Sequence, residues 1–347
     1  MRLRRGVTVA IGAAGAAVLA VGMLFLAGPF GTPAQAQNGE GERVALWDVP
    51  AIDRLPDDAF GRLVRYGRSI VAQSAAHIGP DAPQASNRYA GNNLACASCH
   101  LRDGLTKFGL PLVAASADYP AYSARSGAEI DLFHRINGCM VRSMNGRPMP
   151  EDARPMQAIL AYLKVLATNI PQDGRISGGG AGHMPELDRP ADPVAGEKVF
   201  AARCVQCHGR DGQGVAHNPA TLWFGYTVPP LWGPDSFNTG AGMNRLITAA
   251  NFVHNNMPRG TDWLMPVLSV EESWDVAAFM VSRPRPVLAG TDRDFPDLLS
   301  KPVDTPYGPY ADSFPRQQHV FGPFTPIREE IARLARERGA VPNPNRP

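Results

Sequence analysis

The sequence predicts an all-α fold with two small helical domains in tandem and a loop-rich C-terminal tail that wraps over them. Three observations lead to this prediction. A Cys-x-x-Cys-His run occurs twice, at residues 96–100 and 204–208. Each copy lies between stretches in which apolar residues recur every three or four positions, which is the period of an amphipathic helix. Residues 285–347 are rich in proline and lack this period until a short charged helix near their end.

The repeated Cys-x-x-Cys-His run has a specific chemistry. Two thiols one helical turn apart can add to the two vinyl groups of a haem, and the next histidine can coordinate its iron. One copy alone would also fit half of a zinc site, but two copies, each followed by Arg-Asp-Gly, indicate a duplicated haem unit. The sequence therefore predicts two covalently bound haem c groups. The attachment residues are Cys96, Cys99 and His100 for the first haem and Cys204, Cys207 and His208 for the second.

Helical periodicity marks the elements around each motif. In the first domain we predict a helix from about Asp57 and another opened near Asp152, with Pro155 in its first turn. In the second domain a short helix leads directly into the motif, and a later one has Ser269 and Glu272 in capping-box spacing. Helix, haem motif, loop and helix follow one another in this order in class I cytochrome c domains.

Composition gives the domain boundaries. The chain has 347 residues, which is long for one domain and sufficient for two small ones. Its formal net charge of +2 offers nothing to attract nucleic acid, so we expect no nucleic-acid partner. A linker is indicated by Gly178-Gly179-Gly180 between flanking prolines. We assign residues 57–170 to the first domain, 171–190 to the linker, 191–284 to the second domain and 285–347 to the tail.

Residues 1–36 have the pattern of an export signal. Three arginines among the first five residues precede an apolar stretch from Val7 to Ala27, and Ala34-Gln35-Ala36 is a small-residue cleavage site. The protein is therefore expected in the periplasm. Because the apolar stretch is long, an uncleaved membrane anchor is the alternative.

The second haem has an obvious candidate for its other iron ligand. Met257 precedes a proline and follows a predicted helix from about Asn244 to Asn255, and a late Met-Pro is the usual position of a thioether ligand in a cytochrome domain. The alternative is that Met257 packs in the core. In that case the ligand would be Met265, His254 or His217.

The first haem has two candidates. Met149 lies as far beyond His100 as Met257 lies beyond His208, so duplication favours Met149. Cys139, the one cysteine outside the motifs, lies in a run at 135–146 that is rich in arginine. Cationic neighbours favour a thiolate, which is both a nucleophile and a soft iron ligand, whereas a plain buried thiol would only pack. The residues alone leave this choice open.

Four segments together resemble the dihaem thiosulfate dehydrogenase family: the first haem motif, residues 125–146, the Met-Pro at 257 and the tail segment at 307–312. The resemblance covers most of the mature chain and is most specific from Gly138-Cys139 to Asn145-Gly146. It implies that Cys139 is an axial ligand of the first haem at the active site. It also implies that Arg125, Arg135 and Ser143 surround the substrate, to which we add Arg142 on charge alone.

The resemblance also bears on the second haem. Some family members have a lysine just before the methionine, and the two side chains exchange as iron ligand. This chain has Asn256 at that position, so we expect Met257 to serve in both redox states.

The implied reaction joins two thiosulfate dianions into tetrathionate, and the same site can run it in reverse. Each pair of unit charges at about 4 Å repels by roughly 4 kcal/mol at an effective dielectric of 20, which arginines such as Arg125 and Arg135 would offset. Pairing with haem propionates is the alternative role of these arginines. The expected external acceptor is a soluble or membrane cytochrome c or a high-potential iron–sulfur protein.

Two other functions stay open on the sequence. One is the dihaem subunit of an enzyme that loads thiosulfate onto a carrier protein. The other is an electron-transfer cytochrome without catalysis, in which Met149 completes the first haem and Cys139 packs in the core.

Overall fold

The computed structural model describes residues 47, 49–170, 176–218 and 220–339. The predicted export signal and its alternative as a membrane anchor lie outside these residues. Within the described part of the chain, no helix combines the length and the apolar character that crossing a membrane requires.

Helices dominate both domains, as the sequence predicts. The α-helices are α1 (Ala59–Ala72), α2 (Ser74–Ile78), α3 (Leu101–Gly104), α4 (Leu132–Arg142), α5 (Arg154–Leu166), α6 (Pro193–Arg203), α7 (Val205–His208), α8 (Leu246–Asn256), α9 (Val270–Val281), α10 (Arg316–Phe321) and α11 (Thr325–Glu337). Two short antiparallel hairpins, which the sequence does not predict, pair β1 (Ala121–Ser123) with β2 (Ala128–Ile130) and β3 (Val215–Asn218) with β4 (Thr221–Val228).

Two helices, α1 and α5, cross in the first domain and form most of its core. Asp58 caps α1 by accepting a hydrogen bond from the backbone N–H of Gly61 at 2.7 Å. The helices meet at Gly67, where an added Cβ would lie 2.0 Å from the carbonyl oxygen of Ala158. Fully buried side chains such as Val64 and Tyr162 belong to the core that these helices form.

The second domain repeats this crossing with α6 and α9. A Cβ on Gly196 would lie 1.8 Å from the carbonyl oxygen of Asp275, so the two helices meet at a glycine here as well. The predicted capping box is present at the start of α9, because Ser269 and Glu272 exchange side-chain to backbone hydrogen bonds. The duplication inferred from the motifs thus extends to the helix packing.

From Ile176 onward the linker packs on the first domain. The backbone N–H of Phe108 donates to the carbonyl of Gly178, and that of Leu110 donates to Gly180 at 3.0 Å. Both glycines have positive φ, a conformation that favours glycine. The linker therefore braces the loop that follows the first motif.

The tail is more than a surface wrapping. Val303, Phe324 and Ile327 are buried in the core of the second domain. The fully buried carboxylate of Asp304 accepts hydrogen bonds from Arg245 and from the backbone N–H of Ile247. The tail predicted to wrap over the domains therefore also contributes buried side chains to the core of the second domain.

Candidate active site

The first motif lies at a tight turn next to α2. The backbone N–H of His100 donates to the carbonyl of Cys96 at 2.8 Å, which brings the two thiols of the motif onto one turn. Ser74 is fully buried and its Oγ accepts from the backbone N–H of Cys96 at 3.0 Å. Burial raises the pKa of Cys96 to about 11 and that of Cys99 to about 12.

Both motif histidines are oriented in the same way. The Nδ1 atom of His100 lies 2.5 Å from the carbonyl oxygen of Leu110, and Nδ1 of His208 lies 3.2 Å from that of Pro229. A backbone carbonyl can only accept, so Nδ1 carries the proton and Nε2 keeps a free lone pair. Burial lowers the pKa of both rings and favours the neutral form that binds metal. These residues therefore fit the two haem groups that the sequence predicts.

Cys139 lies on α4 beside the first motif. Asp131 caps this helix by accepting from the backbone N–H of His134 at 2.8 Å. One helical turn before the cysteine, Arg135 donates from Nη1 to its Sγ at 3.0 Å. The sulfur is close enough to Cys96 and Cys99 to add to the rise in their pKa values. The structure thus brings Cys139 and Arg135 together at the first motif.

Tyr119 is a member of this group that the sequence did not reveal. Its hydroxyl is hydrogen-bonded to Arg135, and burial raises its pKa while the arginine partly offsets that rise. The tyrosine belongs to a loop without periodicity or motif, so no sequence signal marks it. We call Tyr119, Arg135 and Cys139 the Cys139 cluster.

Met149 occupies a different environment. Its side chain is 1% exposed and belongs to the core of the first domain with Met140, Met144 and Met156. Asn137 fixes its backbone through two hydrogen bonds, one to the N–H at 2.8 Å and one to the carbonyl at 3.0 Å. Met149 is therefore a buried core residue of the first domain.

The other predicted arginines are held by the tail. A single carboxylate, that of Asp294, accepts from Arg125 at 2.8 Å and from Arg142 at 2.7 Å. Tyr307 bonds both to Arg125 and to this carboxylate. Lys301 lies nearby against three aromatic rings, and burial lowers its pKa to about 8. Arg125 and Arg142 therefore share the carboxylate of Asp294. Of the predicted arginines, Arg135 is the one that bonds the sulfur of Cys139.

Ser143 follows α4 as its C-cap. Its backbone N–H donates to the carbonyl of Cys139 at 2.8 Å, which closes the last turn of the helix. The predicted substrate serine is thus one helical turn from the cysteine along the chain.

Met257 ends α8 in the second domain. It is half-buried, and its backbone N–H donates to the carbonyl of Val253 at 2.9 Å. The alternative ligand Met265 is 77% exposed, and His254 bonds Ser273 through Nδ1 at 3.1 Å. Asn256 is buried and donates to the carbonyl of Phe108 in the first domain at 2.9 Å.

Comparison with known proteins shows which families the two domains match. Residues 85–171 match the family model described as SoxA/TsdA, cytochrome c domain, and residues 193–284 match the model for cytochrome c. The chain is 41% identical over 256 residues to the thiosulfate dehydrogenase of Allochromatium vinosum, covering 73% of this chain and 88% of that protein. It is 36% identical over 258 residues to the thiosulfate dehydrogenase of Thiomonas intermedia, covering 74% and 77% of the two chains.

This chain belongs to the thiosulfate dehydrogenase family. Among solved structures it is similar to thiosulfate dehydrogenase (TsdBA) from Marichromatium purpuratum in its as-isolated form, with a TM-score of 0.61 and 32% identity. That match covers 72% of this chain and 50% of the solved chain, so this chain spans about half the length of that relative. The family resemblance and the two tandem cytochrome c domains predicted from the sequence are confirmed.

Proposed function

We propose that this protein joins two thiosulfate ions into one tetrathionate ion at the sulfur of Cys139. The observation that carries the proposal is the hydrogen bond from Arg135 to that sulfur, beside the first haem motif. The guanidinium places a positive charge at the sulfur, which is the nucleophile of the proposed reaction. The thiosulfate dehydrogenases that the chain resembles support the choice of substrate.

The residues that would hold the two haems follow from the motifs. Cys96 and Cys99 would attach the first haem, and His100 and Cys139 would bind its iron. Cys204, Cys207, His208 and Met257 would hold the second haem in the same way. When bound, the two haems would supply two one-electron acceptors, which match the two electrons of the oxidation, and the final acceptor would be an external cytochrome c or a high-potential iron–sulfur protein.

The sulfur chemistry divides into two steps. In the first, the thiolate of Cys139 forms a bond to the sulfane sulfur of one thiosulfate, and two electrons leave the pair of sulfur atoms. In the second, another thiosulfate attacks that sulfane sulfur, which breaks its bond to Cys139 and releases tetrathionate. No electrons leave in the second step, because it is an exchange of the thiol–disulfide type that regenerates the thiolate.

The arginines reduce the repulsion between the reactants. Arg135 is placed to pair with the anion at the sulfur, and Tyr119 can donate to a sulfonate oxygen once the arginine turns to the substrate. Arg125 and Arg142 carry two positive charges against the one carboxylate of Asp294, which leaves a net positive charge for a second anion. Tetrathionate reduction would use the same residues in reverse order. We place the reaction in the periplasm, where haem c proteins with such a leader reside.

The test compares the parent protein with Cys139→Gly in thiosulfate oxidation coupled to ferricyanide. We expect turnover to be lost in the variant while its haem absorbance per protein stays the same. Met149→Leu is the matched control, because it changes a buried thioether of the same domain and should retain turnover. Substantial activity in Cys139→Gly, or tetrathionate missing from the products of the parent protein, would contradict the proposal.

A further inference from the structure

The C-terminal end of α4 is held by groups from other segments. A helix leaves its last four carbonyls without partners inside the helix. Here the carbonyl of Val141 accepts from the side-chain amide of Asn238 at 2.8 Å, and that of Arg142 accepts from the backbone N–H of the same asparagine at 3.2 Å. The next carbonyl, that of Ser143, accepts from the side chain of Asn92 at 3.0 Å.

Asn238 belongs to the second domain and is fully buried. Its amide group also donates to the side-chain oxygen of Asn145 at 3.1 Å, and its own oxygen accepts from the backbone N–H of Gly240 at 3.1 Å. Asn145 has a φ of 46°, in the left-handed region that non-glycine residues seldom adopt without support. One buried side chain of the second domain therefore fixes both the last turn of α4 and the bend that follows it.

The segment that carries Asn238 is itself anchored. Asp235 accepts from the backbone N–H of Asn93 at 3.0 Å and from the hydroxyl of Tyr226 at 2.6 Å. A buried polar group that is fully bonded has a defined position, since any displacement leaves a donor or acceptor unpaired. The hydrogen bonds of this segment therefore give Asn238 a defined position relative to both domains.

The packing of α4 against the core of the first domain is partial. Met140 is the one fully buried residue of this helix, whereas Leu132, Phe133 and Ile136 are partly buried against the core. Because most of its apolar side chains are only partly buried, the contacts at its C-terminal end contribute to its position. Because Cys139 is in the last turn, displacement of that turn would displace the sulfur directly.

We infer that Asn238 is a positioning residue for Cys139: the second domain holds the sulfur at the first motif through this amide. The inference rests on the proposed function of Cys139. It adds that the position of the sulfur depends on the second domain, which carries the other haem motif. Asn238 touches neither substrate nor cysteine, so its effect acts through the backbone of α4.

The test uses Asn238→Ala in the full-length holoprotein. The readouts are the electron paramagnetic resonance signal of the first haem, the reduction potentials of both haems and the kcat for thiosulfate. We expect kcat to fall at least tenfold and the thiolate signal of the first haem to broaden or split. The potential of the first haem should shift while that of the second stays unchanged.

Asn251→Ala is the matched control. Asn251 is also a buried asparagine of the second domain, 3% exposed, but its amide donates to the carbonyl of Ile247 within its own helix at 2.8 Å. This variant loses a comparable hydrogen bond, so its thermal stability should fall while the first-haem signal stays that of the parent protein.

Asn145→Gly is a milder variant that keeps the test valid if Asn238→Ala does not fold. Glycine accepts the positive φ at this position and removes the side-chain oxygen that holds Asn238. We expect a smaller change of the first-haem signal in the same direction. An unchanged signal and kcat in the folded variants would overturn the inference, whereas a parent protein without a thiolate signal would overturn the proposed function itself.

Discussion

The guanidinium of Arg135 donates a hydrogen bond to the sulfur of Cys139 across 3.0 Å, one helical turn along α4. The cysteine is the main cause that raises the pKa of the arginine, and the phenol of Tyr119 adds to it. This pair places a sulfur atom and a positive charge side by side on the helix.

Replacing Arg135 by glutamine should lower kcat/KM for thiosulfate. A hydrogen bond to a charged group contributes about 1.5–3 kcal/mol, so we expect a loss of roughly ten- to a hundredfold. Steady-state kinetics measures the change. Arg147→Gln, which removes an exposed arginine that lies over the ring of Tyr89, is the control and should leave kcat/KM unchanged. Equal effects of the two substitutions would contradict a specific role for Arg135.

Asp294→Asn should destabilise the fold. The carboxylate is 9% exposed and pairs with both Arg125 and Arg142, so its loss leaves two partly buried guanidinium groups without a counter-charge. We expect the free energy of unfolding to fall by about 2 kcal/mol in chemical denaturation. The exposed neighbour Asp292, changed to asparagine, should stay within about 0.5 kcal/mol of the parent protein.

Met257→His should lower the reduction potential of the second haem, because bis-histidine ligation stabilises the oxidised iron relative to a histidine–methionine pair. A spectroelectrochemical titration measures both haems at once, and the first haem should stay unchanged. Met265→Leu serves as the control, since this side chain is 77% exposed. A shift of the second-haem potential caused by Met265→Leu, with none from Met257→His, would show that Met265 is the iron ligand instead.

The burial of the Lys301 amine predicts that the stability of the protein depends on pH. Burial lowers its pKa to about 8, with the carboxylate of Asp294 acting in the opposite direction and Arg125 reinforcing the shift. Between about pH 8 and the ordinary lysine pKa, the unfolded chain binds a proton that the folded chain does not. The free energy of unfolding should therefore rise with pH across this interval.

The comparison with Lys301→Met isolates this contribution from other groups that titrate in alkaline solution. The variant should be more stable than the parent below pH 8, and the difference between the two should shrink as the pH rises towards 10. Denaturation curves at several pH values measure it. A constant difference across the interval would show that the amine stays protonated in the folded protein.

The glycines at the two helix crossings should not tolerate a side chain. Alanine at Gly67 or Gly196 would place a methyl group 2.0 Å or 1.8 Å from a backbone carbonyl oxygen. Forcing the helices apart should cost about 2–4 kcal/mol, measured by thermal or chemical unfolding. Gly242→Ala is the control, because a Cβ there meets nothing within 4 Å.

Local signals in the sequence gave good predictions of the helices and the haem motifs. The start of α5 near Asp152, with Pro155 in its first turn, and the capping box of Ser269 are close to what the structure has, because caps and periodicity are properties of neighbouring residues. The hairpins have no such signal: β1 and β2 have three residues each, too few to show an alternation.

The candidate site was predictable only where a motif or a charge pattern marked it. Cys139 and Arg135 lie four residues apart on one helix, so the sequence alone could pair them. Asp294 is far along the chain from Arg125, and Asn238 is similarly far from Val141; both pairings depend on how the domains and the tail fold together. Of the tail residues that enter the core, Val303 and Phe324 lie outside the helices and have no periodic signal, whereas Ile327 shares an apolar face of α11 with Ile331 and Ala335.

The tail contacts both domains, whereas the linker joins them along the chain. Asp294 bonds two arginines of the first domain, while Asp304 and, further along the tail, Ile327 are buried in the second. A single stretch of chain therefore fastens both lobes, so a proteolytic cut between residues 294 and 304 would part the ion pairs of the first domain from the buried contacts of the second.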